Sequence, residues 1–155
     1  MQLFRVNVTS PVGVWGVEGD ERAITRVYLP HEESRASAGP SPTAVAEGAQ
    51  QLDEYFSRKR TSFQLALATV KATSFQRDVW AALCDIPYGE VRTYADVAAA
   101  VQRPRATRAV GNANHVNPWP IVVPCHRVVA MHGLGGYGGG DTVKRYLLHL
   151  EGVDR

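Results

Sequence analysis

The sequence has few cysteines, little excess charge and no long apolar run, and each shortage excludes a class of protein. Two cysteines among 155 residues are too few for a disulfide framework or a multi-cysteine zinc site. We therefore expect two free thiols and no metal. No apolar run approaches the ~18 residues of a membrane span, and residues 1–10 lack the basic-then-apolar order of a signal peptide. These features predict a soluble, cytoplasmic protein with no membrane partner.

The net charge is small but unevenly distributed. The 17 basic and 15 acidic side chains give +2 overall, which is too little to bind a polyanion by bulk charge. Between Asp96 and Asp141, however, the chain has four arginines, three histidines and no carboxylate. This stretch can face phosphates without repulsion from its own acids.

The first part of the chain, residues 1–72, predicts a small α+β domain. Alternating apolar residues over residues 3–29 predict a three-stranded β-meander. Residues 31–42 are rich in Ser, Ala, Gly and Pro, which is typical of a surface loop. A domain boundary is expected at about residues 70–73.

A helix and a short strand are predicted between that loop and the boundary. Ser41 is the expected N-cap, with Pro42 in the first helical position. Apolar residues at helical spacing follow from Val45 to Phe56. The strand is expected at residues 63–67.

The second part, residues 73–155, predicts a mainly helical domain. Thr73 and Thr93 are each followed three residues later by Gln or Asp, the pattern of a capping box at a helix start. The first of these helices places Cys84 on its apolar face, where we expect a small buried side chain.

A third helix, at about residues 105–116, follows the Thr93 helix after a tight turn. The pair has the outline of a helix-turn-helix, with Arg105 and Arg108 near the start of its second helix. Short helix pairs are also common in domains that bind no DNA. A last helix is expected to begin at Asp141 as N-cap and to bury Leu150.

Cys125 is the candidate nucleophile. It lies in a short apolar run, Pro-Ile-Val-Val-Pro-Cys-His-Arg-Val-Val, and the adjacent His126 and Arg127 are surroundings that stabilise a thiolate. Neighbouring side chains of an extended segment point to opposite faces, so a bridging water or a local bend would be needed for His126 to take the thiol proton. The alternative is that Cys125 is a small buried apolar residue.

Other features of this half have no specific function when taken alone. The glycine-rich residues 133–140 predict a loop that approaches another group closely or moves, but no Lys-Ser/Thr follows as in a P-loop. Asn117-Pro118 predicts a rigid corner before the cysteine. Glu151 would ordinarily be a solvated charge.

Taken together, these features form a series of motifs in a fixed order along the chain. It consists of Tyr94, Arg108-Ala109-Val110-Gly111, Asn117-Pro118, Pro124-Cys125-His126-Arg127-Val128-Val129, Gly136-Tyr137-Gly138-Gly139-Gly140, Lys144, Leu147-Leu148 and Glu151. This order closely resembles the O6-alkylguanine-DNA alkyltransferases, over about half of the chain, and its Pro-Cys-His-Arg core is highly specific. For the first half, the resemblance implies a ribonuclease-H-like N-terminal domain.

The resemblance implies the chemistry of the site. Cys125 would be the alkyl acceptor, His126 its base acting through a water, and Glu151 the carboxylate that orients His126. Asn117 matches the family's hinge asparagine. The implied activity is stoichiometric transfer of the alkyl group from O6-alkylguanine, and from O4-alkylthymine, in duplex DNA. No cofactor is implied, and because water does not hydrolyse the thioether product, each molecule should react once.

The resemblance also implies how DNA is held. Arg108 matches the finger that fills the gap left by the flipped nucleotide, and Tyr94 matches the tyrosine that contacts that nucleotide. The further implied DNA contacts are Arg105, Ala109, Gly111 and Asn112. The implied walls of the base pocket are Tyr94, Val128, Tyr137 and Gly138.

Two departures from the family pattern stand out. The loop between Val129 and Tyr137 is one residue shorter than usual, and Gly138 stands where many members have a serine. The zinc ligands that some members carry in their N-terminal half have no cysteine counterpart here.

Three other classes share some of these features. A helix-turn-helix regulator with Cys125 as a redox or alkylation sensor would explain the arginines and the thiol, but neither Glu151 nor the glycine loop. Alkyltransferase-like binders, which recognise lesions without repairing them, lack the acceptor cysteine. A cysteine hydrolase would need an oxyanion hole, for which the sequence shows no separate signal.

Overall fold

The chain divides into two units, Met1–Val70 and Lys71–Arg155. The computed structural model describes residues 2–33 and 40–155, and these residues form a mixed α/β structure. Within these described residues, the first unit contains a sheet and one α-helix, and the second contains four α-helices and two very short strands.

The first unit begins with an antiparallel sheet. Its strands β1 (Phe4–Ser10), β2 (Gly13–Gly19) and β3 (Ile24–Tyr28) are hydrogen-bonded in sequence order, which confirms the predicted β-meander. Apolar side chains alternate along these strands, and Trp15 is fully buried with its indole N–H donating to Ser10 Oγ at 2.9 Å.

Helix α1 (Thr43–Phe56) packs against this sheet. At Gly48 a Cβ would lie 2.5 Å from Ile24 Cδ1, so glycine permits the close approach of helix and sheet. The predicted cap is wrong. Pro42 has an extended conformation with ψ 158° and is itself the N-cap residue, without a side-chain hydrogen bond, so Ser41 lies outside the helix.

The predicted strand at residues 63–67 is also wrong. Leu67 forms an isolated bridge with Ile24, in which the Ile24 backbone bonds Ala66 O at 2.8 Å and Ala68 N at 2.9 Å. Pairing at one residue is too little for a strand. Of the predicted loop at residues 31–42, residues 34–39 lie outside the described residues, and the rest form neither helix nor strand.

Both predicted capping boxes are present in the second unit, and they start α2 (Ser74–Cys84) and α3 (Tyr94–Ala100). The Thr73 hydroxyl accepts from Gln76 N at 3.1 Å, and the Gln76 side chain accepts from Thr73 N at 2.9 Å. Cys84, predicted to be buried, is exposed because it is the last residue of α2.

Two further helices differ from their predictions at the N-terminus. Helix α4 (Thr107–His115) begins after a turn in which Ala106 N donates to Arg103 O at 2.8 Å, so Arg105 precedes the helix. Helix α5 (Asp141–Leu150) has Gly140 as N-cap with φ 89°, a conformation that suits glycine, and Asp141 is its first residue. Leu150, predicted to be buried, is half-buried.

The cysteine segment is not the extended strand that the apolar run predicts. Cys125–Arg127 form a 3-10 turn in which Arg127 N donates to Pro124 O at 3.0 Å. Strand β5 (Val128–Val129) begins only after this turn, and it pairs in parallel with β4 (Arg92–Thr93). This is the local bend that the sequence analysis named as one alternative.

Candidate functional site

A cavity of about 610 Å³ lies in the second unit between α3, α4, the cysteine turn and the glycine-rich loop. The candidate nucleophile Cys125 lies on its wall. The remaining lining residues are Tyr94, Thr107, Arg108, Gly111, Asn112, Asn114, His115, Gly136, Tyr137 and Gly138. Residues far apart in sequence therefore meet around one space next to the thiol.

The cavity brings together about half of the predicted site residues. Those that line it are Tyr94, Arg108, Gly111, Asn112, Cys125, Tyr137 and Gly138. The predicted residues that are not among its lining are Arg105, Ala109, Asn117, His126, Val128 and Glu151. Val128 is fully buried, and its carbonyl accepts from Lys144 Nζ at 2.6 Å.

Helix α4 also contributes residues that the sequence analysis missed, namely Thr107, Asn114 and His115. His115 could have been predicted from the sequence, because residues 108, 111, 112 and 115 share one face of a helix. The Asn114 Oδ1 atom is buried and, among the described residues, has no hydrogen-bond donor.

The cysteine is held by a strained corner. Ile121, which is buried, has φ 74°, a rare conformation for a β-branched residue and one that persists only where surrounding contacts impose it. Asn117 supplies such contacts, because its Nδ2 donates to Val123 O at 2.8 Å and its Oδ1 accepts from Trp119 N at 2.9 Å. Asn117 thus ties the end of α4 to the segment that leads into Cys125.

Burial raises the pKa of the Cys125 thiol, although a side-chain hydrogen bond from Asn117 and the Lys144 charge act in the opposite direction. Neither His126 nor Arg127 is among the groups that lower this pKa. The thiol needs a base to remove its proton before it reacts.

The base predicted from the sequence is His126, the next residue along the chain. It is fully buried, and its Nε2 lies 2.6 Å from Glu151 Oε2. Burial lowers the pKa of His126 despite the adjacent carboxylate, so the imidazole is neutral at neutral pH. An ionised carboxylate only accepts hydrogen bonds, which assigns the proton to Nε2 and leaves Nδ1 as an acceptor. Nδ1 has no partner within the described part of the chain.

Arg127 is hydrogen-bonded to Glu151, the carboxylate that pairs with His126. Its Nε donates to Glu151 Oε1 at 2.8 Å, and its Nη1 donates to Ile86 O at 2.7 Å. Gly89 N adds a third kind of donor to Glu151. Burial alone would raise the pKa of Glu151, but His126 and Arg127 outweigh it and hold that pKa far below its usual range. Glu151 is consequently a buried, ionised group and not the solvated charge that helix ends usually carry.

Tyr94 is the first residue of α3, and its side chain is hydrogen-bonded to the glycine-rich loop. Its hydroxyl accepts from Gly136 N at 3.1 Å and donates to Gly136 O at 3.4 Å. At Gly135, with φ 77°, a Cβ would lie 2.8 Å from that hydroxyl, so the loop approaches Tyr94 as closely as only glycine allows. Burial raises the pKa of Tyr94, which keeps the hydroxyl protonated and able to donate.

A metal-ligand cluster and a membrane-spanning helix are both absent from the described part of the chain. No three His, Cys, Asp or Glu side chains among those residues group as metal ligands would. None of the helices described there is long and apolar enough to cross a membrane.

Comparison with known protein families gives the class of the second unit. Residues 74–153 match the family described as "6-O-methylguanine DNA methyltransferase, DNA binding domain". The second unit is therefore a DNA-binding domain of the methyltransferase class.

Relatives over the whole chain define the family more closely. A constitutive methylated-DNA–protein-cysteine methyltransferase of Bacillus subtilis is 44% identical, covering 97% of this chain and 96% of its own. A protein of the same name from Methanosarcina barkeri is 43% identical, covering 93% and 94%. The chain belongs to the methylated-DNA–protein-cysteine methyltransferase family, as its motif order predicts.

Solved structures agree with this assignment. The O6-methylguanine methyltransferase of Mycobacterium tuberculosis matches with a TM-score of 0.85 and 38% identity, covering 97% of this chain and 93% of its own. A structure of M. tuberculosis OGT in complex with DNA also gives 0.85, with 40% identity and coverage of 96% and 93%. These matches favour DNA repair over the alternative of a regulator with a sensor cysteine.

Proposed function

We propose that this protein repairs DNA by moving the methyl group of O6-methylguanine from the guanine oxygen to Cys125 Sγ, once per molecule. The observation that carries the proposal is that Cys125 and Arg108 of α4 line the same cavity. Larger O6-alkyl groups and O4-alkylthymine belong to the same class of substrate.

The helix pair α3 and α4 would dock on DNA as a helix-turn-helix. Arg108 is the second residue of α4 and is exposed, so its guanidinium is available to a duplex. Cys125, in contrast, is buried and cannot reach a base within a stacked duplex. The target nucleotide must therefore be flipped into the cavity, at a cost of ~a few kcal/mol that is smallest for a poorly paired, damaged base.

The chemistry then follows from the groups around the cavity. The Cys125 proton passes through an intervening water to His126 Nδ1, which Glu151 keeps available by holding Nε2–H. The thiolate attacks the methyl carbon, so a C–S bond forms as the C–O bond to guanine breaks. Tyr94 donates a proton to the leaving base, and that proton is replaced from His126 through solvent. The products are unmodified guanine and S-methylcysteine, and no oxidant or cofactor is consumed.

The test is incubation with duplex DNA that carries one O6-methylguanine, followed by intact-protein mass measurement and peptide mapping. We expect a gain of one methyl group, on Cys125, with one equivalent of DNA repaired. Methyl on the exposed Cys84, or repair that continues beyond one equivalent, would overturn the single-turnover proposal.

Arg108→Ala should slow repair of a lesion in a duplex by roughly tenfold to a hundredfold. This factor corresponds to losing part of the free energy that offsets the cost of flipping the nucleotide. Reaction with free O6-benzylguanine, which needs no flipping, should change much less. The measurement is the single-turnover rate of Cys125 alkylation with each substrate. Arg108→Lys should not restore the duplex rate, because lysine lacks the planar, stacking guanidinium.

Arg105→Ala is the matched control, because Arg105 lies just before α4 and does not line the cavity. It should weaken binding to all DNA and reduce the salt dependence of the DNA affinity by about one phosphate contact. It should not change the alkylation rate with duplex relative to the rate with free base. If Arg108→Ala lowered both alkylation rates by the same factor, Arg108 would support the cavity and not flipping.

A further inference from the structure

Lys144 is a buried lysine for which the mechanism above has no use. It lies in the first turns of α5 and is fully buried. A buried ammonium is costly unless its donors are satisfied, and Lys144 satisfies two of them with backbone carbonyls. Nζ donates to Val128 O at 2.6 Å and to Gly136 O at 3.0 Å.

These two carbonyls belong to two different segments of the chain. Val128 directly follows the Cys125–Arg127 turn, and Gly136 lies in the glycine-rich loop that lines the cavity. Gly136 is also the residue whose backbone bonds the Tyr94 hydroxyl in both directions. One ammonium group therefore links the cysteine segment to the loop and, through that loop, to Tyr94.

The charge of Lys144 also acts on the reacting groups. It lowers the pKa of the Cys125 thiol and of His126. Burial lowers the pKa of Lys144 to about 8, and Arg155 at the C-terminus acts in the same direction, whereas Cys125 and Asp141 on the same helix raise it. The lysine is thus charged at neutral pH and loses its charge as the pH rises through about 8.

We propose that Lys144 is a positioning residue for methyl transfer, which fixes the glycine-rich loop against the cysteine segment and keeps one positive charge beside the Cys125 thiol. This inference rests on the proposed function of the same site. Lys144 acts in two ways. Its hydrogen bonds position Tyr94 and the glycine-rich loop, and its charge favours the thiolate over the thiol.

The test compares Lys144→Met with Arg145→Met, a matched control in the next position of α5, where the side chain is exposed. All proteins carry Cys84→Ser, so that Cys125 is the only thiol. Single-turnover methyl transfer from O6-methylguanine duplex and alkylation by iodoacetamide are each measured from pH 6 to pH 10. The iodoacetamide reaction needs no DNA and reports on the thiol alone.

Removal of a nearby opposite charge typically moves a pKa by about one unit or more. We expect Lys144→Met to slow both reactions roughly tenfold at pH 7, where native Lys144 is charged, and the difference to disappear as the pH rises past about 8 and native Lys144 loses its charge, with no such change for Arg145→Met. If Lys144→Met does not fold, Lys144→Gln, which can still donate to one carbonyl, should show the same loss of rate at pH 7 and the same recovery at higher pH. Lys144→Arg keeps the charge and should react at pH 7 at about the rate of the native protein.

The outcomes separate the two proposals. A uniform loss of rate at every pH, together with a lower melting temperature, would make Lys144 a structural residue only and overturn the inference. Unchanged profiles would overturn it as well. If the Cys84→Ser protein with native Lys144 transferred no methyl group while iodoacetamide still reported the Lys144 effect, the proposed function would be wrong and the role of Lys144 beside the thiol would stand.

Discussion

Cys125→Ser is expected to abolish methyl transfer while DNA affinity stays within about twofold, because the phosphate contacts that dominate affinity come from other residues. A serine hydroxyl is a far weaker nucleophile than a thiolate toward a methyl carbon. The replacement changes one atom in the buried turn, and Asn117 remains as a hydrogen-bond partner for it. Mass measurement after incubation with O6-methylguanine duplex, and a binding titration with the same duplex, give the two quantities.

Cys84→Ser is the matched control for this experiment. Cys84 is the other cysteine of the sequence, but it is exposed at the end of α2 and does not line the cavity. It should transfer one methyl group at the wild-type rate. Methylation of the Cys125→Ser protein at any residue would mean that the acceptor had been assigned wrongly.

Much of the fold follows from local sequence signals. The alternation along residues 3–29 specifies strands because side chains on a strand point alternately to the two faces of the sheet. Thr73 and Thr93 specify helix starts because their hydroxyls and the side chains three residues on satisfy each other's backbone donors. Ser41 failed as a cap because the extended Pro42 moved the helix start by one residue.

The site was predictable only in part, because its geometry depends on contacts between distant segments. Residue types and their order identified Cys125 and Tyr94 as site residues. Nothing local shows that Arg127 pairs with Glu151, or that the Cys125 segment turns where its apolar neighbours predict a strand. Lys144 has the helical spacing of a core position, but only the fold shows which carbonyls it meets.

Glu151→Gln should slow methyl transfer roughly a hundredfold, within the usual range for loss of general-base catalysis. The amide can present its N–H₂ to His126 Nε2, which favours the tautomer with the proton on Nδ1 and removes the acceptor that the thiol needs. Neither residue lines the cavity, so binding of lesion-containing DNA should change little. Single-turnover rates and a DNA titration measure the two effects.

The same substitution leaves Arg127 as a buried charge without its carboxylate, which typically costs about 3–5 kcal/mol of stability. A slow rate could then reflect misfolding, and the double variant Glu151→Gln, Arg127→Met separates the two causes. It removes both charges together and should recover much of the stability in urea unfolding, yet its transfer rate should remain as low as that of Glu151→Gln. Arg127→Met alone keeps the carboxylate on His126 and should retain more activity than either. If activity instead followed stability across the three variants, the His126–Glu151 pair would hold the fold together without activating the thiol.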